Sequence, residues 1–532
     1  TFIGAGLPLI SAVVGVGIAG LATLALSSVV EMGSTTPTLG VMLGLAVGID
    51  YTLFILNRHR RQLKVGMDVR ESLALANGTS GSAVLFAGLT VIIALAALNL
   101  TGIEFLGQMG TVGAGAIAIA VAVAVTFTPA FLGLLGMRIL SKRERKAMPV
   151  VDAKHPVEPQ KVSVLPVFAT KRPWLTLIST TLLMLIIALP LTQMRLGLPD
   201  GSSEATDSTQ YRAYSLITKE FGVGANGPLA TVVTLKEPVT DQAQLDLQAD
   251  VASRLMSLEN VDAVLPGGVS SDNKTLLFQV IPTGGPTSVE TEKLVSEIRG
   301  LHSEFVASFN SEIAVTGMSA INIDISDKLA QALPLYLGTV MILSLLLLML
   351  VFRSIAVPLI ASAGFLLSVF AALGAVTAVF QWGWLGSWFD IHDPGPILCF
   401  LPTIVIGVLF GLAMDYQLFL VSGMREAFVH GRSAKESVNY GIHLSRQVVV
   451  AAALIMVSVF GSFAFSHQTM IRPVGFGLAV GVLFDAFVIR LLFVPAIMTI
   501  LGKAAWYVPK WLDRIMPDVD VEGAKLEVER HH

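Results

Sequence analysis

Long runs of apolar residues alternate with short polar segments along almost the whole chain. A run of roughly 20 mostly apolar residues is long enough to cross a membrane as a helix. Several runs are longer than this, which permits tilt or extension of the helix beyond the lipid. The pattern predicts ten membrane-spanning helices, at residues 5–28, 38–57, 80–99, 108–135, 174–193, 331–352, 356–380, 396–422, 446–466 and 472–501.

One long polar segment, residues 195–330, interrupts the apolar runs. Alternation of apolar and polar residues indicates strands, and apolar residues every three or four positions indicate amphipathic helices. The two patterns alternate along this segment, which favours a small α/β sandwich of the split βαβ type. The pattern predicts helices at 208–221, 242–258 and 287–308 and strands at 229–236, 274–282 and 313–316.

Basic residues are concentrated in the loops after the second, fourth, sixth and eighth spans. Short loops rich in Lys and Arg stay in the cytoplasm, and with ten spans these four loops fall on one side. Residues 195–330, called the outside domain below, then lie on the opposite side. The predicted organisation is four spans (1–136), a cytoplasmic linker (137–173), one span (174–194), the extracytoplasmic outside domain (195–330), five spans (331–502) and a cytoplasmic tail (503–532).

The composition is that of a multi-pass protein of the cell membrane. Of the 532 residues, 54% are hydrophobic and 14% are charged, whereas soluble domains carry about a quarter charged residues. The single cysteine, Cys399, excludes an intrachain disulfide framework and a cysteine-built metal cluster. His392 and Asp393 are too sparse to indicate a metal site, and His59 and His443, among basic loop residues, are interpreted as solvated. The sequence contains no G-x-x-x-x-G-K-S/T motif for ATP phosphates.

A short motif occurs once in each half of the chain. Asp50-Tyr51 and Asp415-Tyr416 each lie inside a predicted span, at an offset of 365 residues. Both copies run in the same direction across the membrane, so this is a parallel repeat about an axis along the bilayer normal. The same offset relates Phe54 to Phe419, Arg60 to Arg425, Gly66 to Gly431 and Glu71-Ser72 to Glu436-Ser437.

The two halves differ in what precedes the shared spans. The second half begins with a span and the outside domain, followed by five spans, whereas the first half has four spans alone. By symmetry we expect a parent protein with twelve spans and two outside domains, of which this chain is an N-terminally truncated part.

The two Asp-Tyr pairs are the leading candidates for chemistry. Carboxylates inside hydrocarbon are costly and rare, and they mark ion or proton pathways. Asp50 and Asp415 lie eight and ten residues before the first basic residue on the cytoplasmic side, so both lie near the middle of a hydrocarbon core about 30 Å thick. If their helices pack at the centre, the carboxylates titrate as a coupled pair, and Tyr51 and Tyr416 can donate hydrogen bonds to the opposing acid. The alternative is that these acids hold helices together without moving protons.

The last span adds two charges that the first half lacks. Asp485 and Arg490 have apolar counterparts near Ala120 and Ala124, so the predicted relay is asymmetric. The two charges are five positions apart, about 140° around a regular helix, so they need not pair with each other. We predict that one of them points at the central acids, although Arg490 could instead extend to the interface.

These motifs resemble the resistance-nodulation-division (RND) superfamily, specifically its mycobacterial-membrane-protein-large (MmpL) type. The resemblance implies a secondary active transporter, not an enzyme, that uses the proton-motive force to export lipids or other hydrophobic or amphiphilic molecules. It implies protons as the coupling ion without a bound cofactor, and a membrane setting without nucleic acid. The oligomeric state stays open between a monomer and a homo-oligomer such as a trimer. The most specific matches are Gly48-Ile49-Asp50-Tyr51, Asn57-Arg58-His59-Arg60, residues 411–422, Val351-Phe352-Arg353-Ser354 and residues 485–490.

Two other functions share the same membrane architecture. A proton-driven accessory of protein translocation would move no lipid but would assist the secretion of unfolded chains. A lipid- or sterol-sensing protein without transport would tolerate loss of the intramembrane acids, so their presence argues against it. The predicted proton relay consists of Asp50, Tyr51, Asp415, Tyr416, Asp485 and Arg490.

Overall fold

The computed structural model describes residues 2–28, 32–33, 35–141, 144–145 and 168–509. Most of the predicted linker and most of the predicted tail therefore lie outside the described residues. So do the side chains of residues 2–3, 5, 241, 414–416 and 418–419.

Long helices form most of the described chain. Helices α1 to α5 are Phe2–Ser27, Thr35–Lys64, Val69–Thr101, Glu104–Ile139 and Pro173–Gln193. Helices α6 to α9 belong to the outside domain and are Thr209–Phe221, Asp241–Met256, Val289–Gly300 and His302–Ser308. Helices α10 to α14 are Met318–Phe352, Ala356–Gln381, Leu401–Val429, Ala434–Phe463 and Ile471–Trp506.

The spans agree with the apolar runs of the sequence. Within the described residues, nine helices are long and apolar enough to cross a membrane, namely α1 to α5, α10, α11, α13 and α14. In the remaining long helix, α12, the apolar stretch counted from described residues is Leu401–Ala413, within a helix of 29 residues. The prediction of a helical, polytopic membrane protein is confirmed.

Burial separates a central helix from peripheral ones. In α2, 83% of the most apolar window is buried inside the protein, whereas the corresponding share is 22% in α1 and in α5. Large apolar side chains on the peripheral helices, such as Val13 and Ile178, are instead exposed. Such side chains suit contact with lipid, so α2 lies inside the bundle with α1 and α5 at its edge.

The two halves pack in a corresponding way. Helix α2 packs against α13, and α12 packs against α3. Because α2 corresponds to α12 and α3 to α13 in the sequence repeat, these two contacts are equivalents of each other. The helix packing therefore agrees with a parallel repeat.

The outside domain contains a four-stranded sheet. Its strands are β2 (Leu229–Leu235), β3 (Val261–Val269), β4 (Thr275–Pro282) and β5 (Ser311–Thr316). Their spatial order is β3-β4-β2-β5, and each neighbouring pair is antiparallel. With α7 between β2 and β3 and with α8 and α9 between β4 and β5, the connectivity is that of the split βαβ sandwich. The predicted fold of this domain is confirmed.

Two local predictions in this domain were incomplete. Strand β3 was not predicted, because Pro266 and two following glycines interrupt the apolar pattern, and its pairing with β4 is irregular at that point. The helix predicted at 287–308 is divided in two, with Leu301 between α8 and α9. Alternate residues of the strands, such as Val233 and Phe278, are fully buried against the helices.

A second, smaller pairing joins this domain to the membrane helices. Strand β1 (Leu196–Gly197), just after α5, pairs in parallel with β6 (Ile397–Leu398), just before α12. Leu196 pairs with Ile397 and Gly197 pairs with Leu398.

Candidate functional site

Asp50 and Tyr51 lie inside the bundle on the central helix α2. The exposed fraction is 1% for Asp50 and 0% for Tyr51. The Tyr51 ring packs beside Gly88 of α3, where an added Cβ atom would lie 3.6 Å from its Cε2 atom. The sequence prediction that this acid is buried within the spans therefore agrees with the structure.

The helix register shows which way Asp50 faces. Arg61 follows it by eleven residues, about three helical turns, so the two residues lie on the same face of α2. Arg61 donates a hydrogen bond to the main-chain carbonyl of Leu444 on α13 at 3.2 Å. The opposite face carries Gly48, where an added Cβ atom would lie 3.3 Å from the Cα atom of Ala12 in α1. The face that carries Asp50 is therefore turned towards the second half of the protein.

Three buried hydroxyl groups join the first-half helices behind Asp50. The Thr128 hydroxyl of α4 lies 3.2 Å from that of Thr52 on α2 and 3.3 Å from that of Ser11 on α1. At most 1% of each of these residues is exposed. In the second half, the residues aligned with Thr52 and Thr128 are Gln417 and Val494. The hydroxyl cluster therefore belongs to the first half, and it holds α2 against α1 and α4.

Asp415 and Tyr416 lie in helix α12, but their side chains are outside the described residues. One turn earlier, Gly411 contacts the side chain of Val91 on α3 so closely that an added Cβ atom would lie 2.7 Å from the Val91 Cβ atom. Helix α3 thus contacts both Asp-Tyr helices, at Gly88 beside Tyr51 and at Val91 beside Gly411. This helix connects the surroundings of the two pairs.

Asp485 and Arg490 form an ion pair with each other, which the spacing on a regular helix did not predict. The difference has a local cause, because residues Phe484–Phe493 form a π-helical segment within α14. A π-helix closes i→i+5 hydrogen bonds and winds more slowly than an α-helix, so residues five apart lie on one face. The two charges consequently meet inside the membrane region, where π-bulges often mark functional sites.

Arg490 also contacts the helix that carries Asp415. Its guanidinium donates hydrogen bonds to the main-chain carbonyls of Ala413, at 2.9 Å, and Leu412, at 3.3 Å. Only 1% of Arg490 is exposed, so the suggestion that it extends to the membrane interface was wrong. The structure instead brings Asp485, Arg490 and the turn before Asp415 together.

His59, interpreted from the sequence as solvated, is fully buried near the cytoplasmic end of α2. Its Nδ1 atom lies 2.8 Å from the Ser72 hydroxyl, and that hydroxyl lies 3.0 Å from Oε1 of Gln62. Ser72 belongs to the first turns of α3, which fold back against α2. The sequence contained no signal of this contact, because the burial depends on how α3 packs. His443 is exposed, as expected.

A cavity of about 290 Å³ lies where the outside domain meets the outer ends of the membrane helices. Charged groups of both signs line it, together with apolar side chains such as Phe380 and Met470. Burial, and then the carboxylates of Asp200 and Asp393, raise the pKa of Tyr214, so its hydroxyl stays protonated and can donate a hydrogen bond. The ionisable residues of this wall include Arg195, Asp200, Asp390, His392, Asp393 and Arg472.

The protein is a bundle of apolar helices in two parallel sets, with buried charged residues inside the bundle and a split βαβ domain outside it. This arrangement defines a multi-pass membrane protein of the RND superfamily. The chain belongs to the MMPL family, whose model matches residues 1–166 and 204–516. The predicted family resemblance is confirmed.

Several known proteins resemble this chain. The membrane protein YdfJ of Bacillus subtilis is 40% identical over 99% of this chain and 71% of its own length. MmpL11 of Mycolicibacterium smegmatis, named a mycolic acid-containing lipids exporter, is 31% identical over 92% of this chain and 51% of its own length. The MmpL11 of Mycobacterium tuberculosis, also 31% identical, is named a heme uptake protein. This chain thus spans about half the length of these MmpL11 proteins.

A solved structure shares the fold. SecDF, a translocon-associated membrane protein from Thermus thermophilus, superposes with a TM-score of 0.54 over 94% of this chain and 61% of its own, at 14% sequence identity. At this identity the likeness concerns the fold alone.

Proposed function

We propose that this protein is a secondary active transporter that uses the proton-motive force to export lipids or other hydrophobic or amphiphilic molecules. The observation that carries the proposal is the buried acid Asp50 on the central helix, turned towards a second half that holds the buried pair Asp485–Arg490. Membership of a family with named lipid exporters supports the substrate class.

The proposed relay consists of Asp50, Tyr51, Asp415, Tyr416, Asp485 and Arg490. A carboxylate in hydrocarbon is costly, so gain and loss of a proton at Asp50 or Asp415 changes the free energy of the arrangement around it. Tyr51 packs on α3, which also contacts α12 at Gly411. A shift of α2 or α12 that follows a change of protonation at its acid can therefore be transmitted to the other helix through α3.

Arg490 supplies the fixed positive charge of the proposed relay. While Asp485 is ionised, the charge of Arg490 is balanced within α14. When Asp485 takes up a proton, the guanidinium loses that balancing charge, while its contacts with the carbonyls of Leu412 and Ala413 are unaffected. The positive charge beside α12 then favours ionisation of Asp415, which lies on the same helix as the two carbonyls. Protonation of one acid is in this way linked to release of a proton from another.

The proposal is tested in proteoliposomes that contain the native protein and a fluorescent phospholipid analogue. An imposed pH gradient should drive proton movement, read with a pH-sensitive dye, and transfer of the analogue between leaflets, read by dithionite accessibility. Asp50→Asn and Asp415→Asn should each abolish both signals while the protein stays folded in the membrane. Asp262→Asn, at an exposed position of the outside domain, is the matched control and should behave as wild type.

Other outcomes decide between the alternatives. Transport at the wild-type rate by both Asp→Asn variants would refute the relay. Proton movement without lipid transfer, together with stimulated secretion of an unfolded chain, would favour the translocation accessory. Folded wild-type protein that moves neither protons nor lipid would favour a sensor. Transfer of the analogue towards the cytoplasmic leaflet would indicate uptake instead of export.

A further inference from the structure

The segment that connects α5 to the outside domain, residues 193–197 and called the stalk below, is held by one side chain of a different helix. The Oε1 atom of Gln381 accepts a hydrogen bond from the main-chain N–H of Arg195 at 2.8 Å. The Nε2 atom of the same side chain donates to the main-chain carbonyl of Gln193 at 2.7 Å. Gln381 ends α11, so this amide fixes the stalk to the outer end of α11.

The stalk is also bonded to the segment that leads into α12. The N–H of Ile397 donates to the Arg195 carbonyl at 2.7 Å, and the N–H of Cys399 donates to the Gly197 carbonyl at 2.9 Å. These bonds form the β1–β6 pairing. Because α12 begins at Leu401, the pairing lies directly before the helix that carries Asp415.

Two glycines allow close packing in and beside the stalk. An added Cβ atom at Gly197 would lie 2.7 Å from Cγ of Pro396, and one at Gly374 of α11 would lie 2.7 Å from Cα of Ala188 in α5. The two glycines therefore permit close contacts, and any larger residue at either position would push the contacting segments apart. The outer end of α5, the stalk, α11 and the start of α12 are packed as a single unit.

We propose that Gln381 and the β1–β6 pairing couple movement of α12 to the outside domain. The inference rests on the proposed proton-driven function and names the residues that transmit its effect. Asp415 lies about 20 Å along α12 from Leu401 at 1.5 Å per residue, and a helix of this length moves as a rod. A displacement of α12 acts on β6 and then on β1. Through β1 it acts on the first residues of the outside domain. In this scheme Gln381 is a positioning residue, because it acts through the main chain of the stalk that it holds.

The first test measures coupling in the proteoliposome assay. Gln381→Leu removes both hydrogen bonds at similar side-chain size. We expect lipid export to fall about tenfold, within the range of coupling free energies between sites, while pH-driven proton movement is retained. Gly197→Val should give the same uncoupled result by separating β1 from Pro396. The control is Gln242→Leu, since Gln242 bonds only its own helix neighbour Asp246 among the hydrogen bonds described for its side chain; it should keep the wild-type ratio of export to proton movement.

The second test needs no transport and is therefore independent of the proposed function. Asp415→Asn fixes the uncharged form of that side chain, and hydrogen exchange then reports on the amides of Arg195, Ile397 and Cys399. We expect Asp415→Asn to change exchange at all three amides. At Arg195, where Gln381→Leu alone already removes the acceptor, adding Asp415→Asn to Gln381→Leu should cause no further change.

The two tests separate the possible failures. Wild-type ratios of export to proton movement in both Gln381→Leu and Gly197→Val would overturn the inference and leave the transport proposal intact. An unchanged exchange rate at Arg195 and Ile397 in Asp415→Asn would overturn the inference whatever the transport result. Wild-type protein without proton movement, but with the expected exchange pattern, would refute the transport proposal and keep the mechanical coupling.

Discussion

The guanidinium of Arg490 donates a 2.9 Å hydrogen bond to the main-chain carbonyl of Ala413. A carbonyl oxygen has two lone pairs, so α12 can accept this bond and keep its own helical hydrogen bonds. Arg490 is at the same time the ion-pair partner of Asp485. One side chain thus joins the π-helical segment of α14 to the turn of α12 that precedes Asp415.

We predict that removal of the Arg490 charge destabilises the protein because Asp485 loses its buried partner. Breaking a buried ion pair on one side costs about 3–5 kcal/mol. Arg490→Met should lower the free energy of unfolding by this order, and Asp485→Asn combined with Arg490→Met should recover part of the loss. Denaturant unfolding in detergent micelles measures both variants. We expect no proton-driven export from either variant, because both lack the positive charge of Arg490 next to α12.

The matched comparison is Arg490→Lys. Lysine keeps the charge but lacks the planar set of donors that lets arginine bond several acceptors together. We expect a folded protein with reduced export. Equal unfolding free energies for Arg490→Met and for the double variant would show that the two residues do not stabilise each other.

We predict that Thr128 stabilises the first-half bundle through the cluster with Ser11 and Thr52. Thr128→Val has nearly the same shape but removes the shared hydroxyl. At about 1 kcal/mol for each buried hydrogen bond, the loss should be about 1–2 kcal/mol, measured by unfolding in detergent. Thr126→Val on the same helix is the control, since the Thr126 hydroxyl is exposed and bonds the Ala122 carbonyl of its own helix. Equal stability of the two variants would contradict a structural role for the cluster.

The spans and the burial of Asp50 within them could be predicted because both depend on local composition and on the repeat. A run of apolar residues determines a span almost irrespective of its neighbours, and the offset between Asp50 and Asp415 follows from the duplicated motif. The outside domain was mostly predictable for the same reason, since β2 and β4 alternate buried and less buried residues along their length.

The contacts between distant elements could not be predicted in this way. The pairing of Asp485 with Arg490 requires the π-helical segment of α14. The spacing of the two residues on a regular α-helix does not bring them together. The burial of His59 depends on Ser72 folding back over α2. The bonds of Gln381 to the stalk join residues 186 and 188 positions apart. Each of these features arises from tertiary packing, which a single sequence does not encode in any local pattern.

We predict that Gly411 is required for the approach of α12 to α3. A methyl group there would overlap the side chain of Val91, and overpacking of this kind costs about 1–3 kcal/mol. Gly411→Ala should therefore lower the melting temperature in detergent and reduce export, and Val91→Ala should restore part of both by making room. Gly461→Ala on α13 is the control, since an added Cβ atom meets nothing within 4 Å there. Wild-type stability of Gly411→Ala would contradict the close contact.

We predict a pH-dependent contribution from Glu144, which connects the segment after α4 to the cytoplasmic end of α2. Its Oε1 atom lies 2.8 Å from Lys64 Nζ and 2.6 Å from Arg60 Nη2. The hydrogen bond from Lys64, followed by that from the Ser141 backbone, lowers the pKa of Glu144 below its usual value of 4.5. Since the folded-state pKa is the lower one, the carboxylate stabilises the fold above pH 4.5, and this contribution is lost as the pH falls further.

Glu144→Gln should therefore unfold more easily than wild type at pH 7, by about 0.5–1 kcal/mol for a partly exposed ion pair, and the difference should shrink at pH 3. Thermal unfolding in detergent at the two pH values measures it. Glu237→Gln, at an exposed position of the outside domain, should show no such difference at either pH. A Glu144→Gln difference of the same size at pH 3 and at pH 7 would contradict this prediction and would mean that the side chain stabilises α2 by packing.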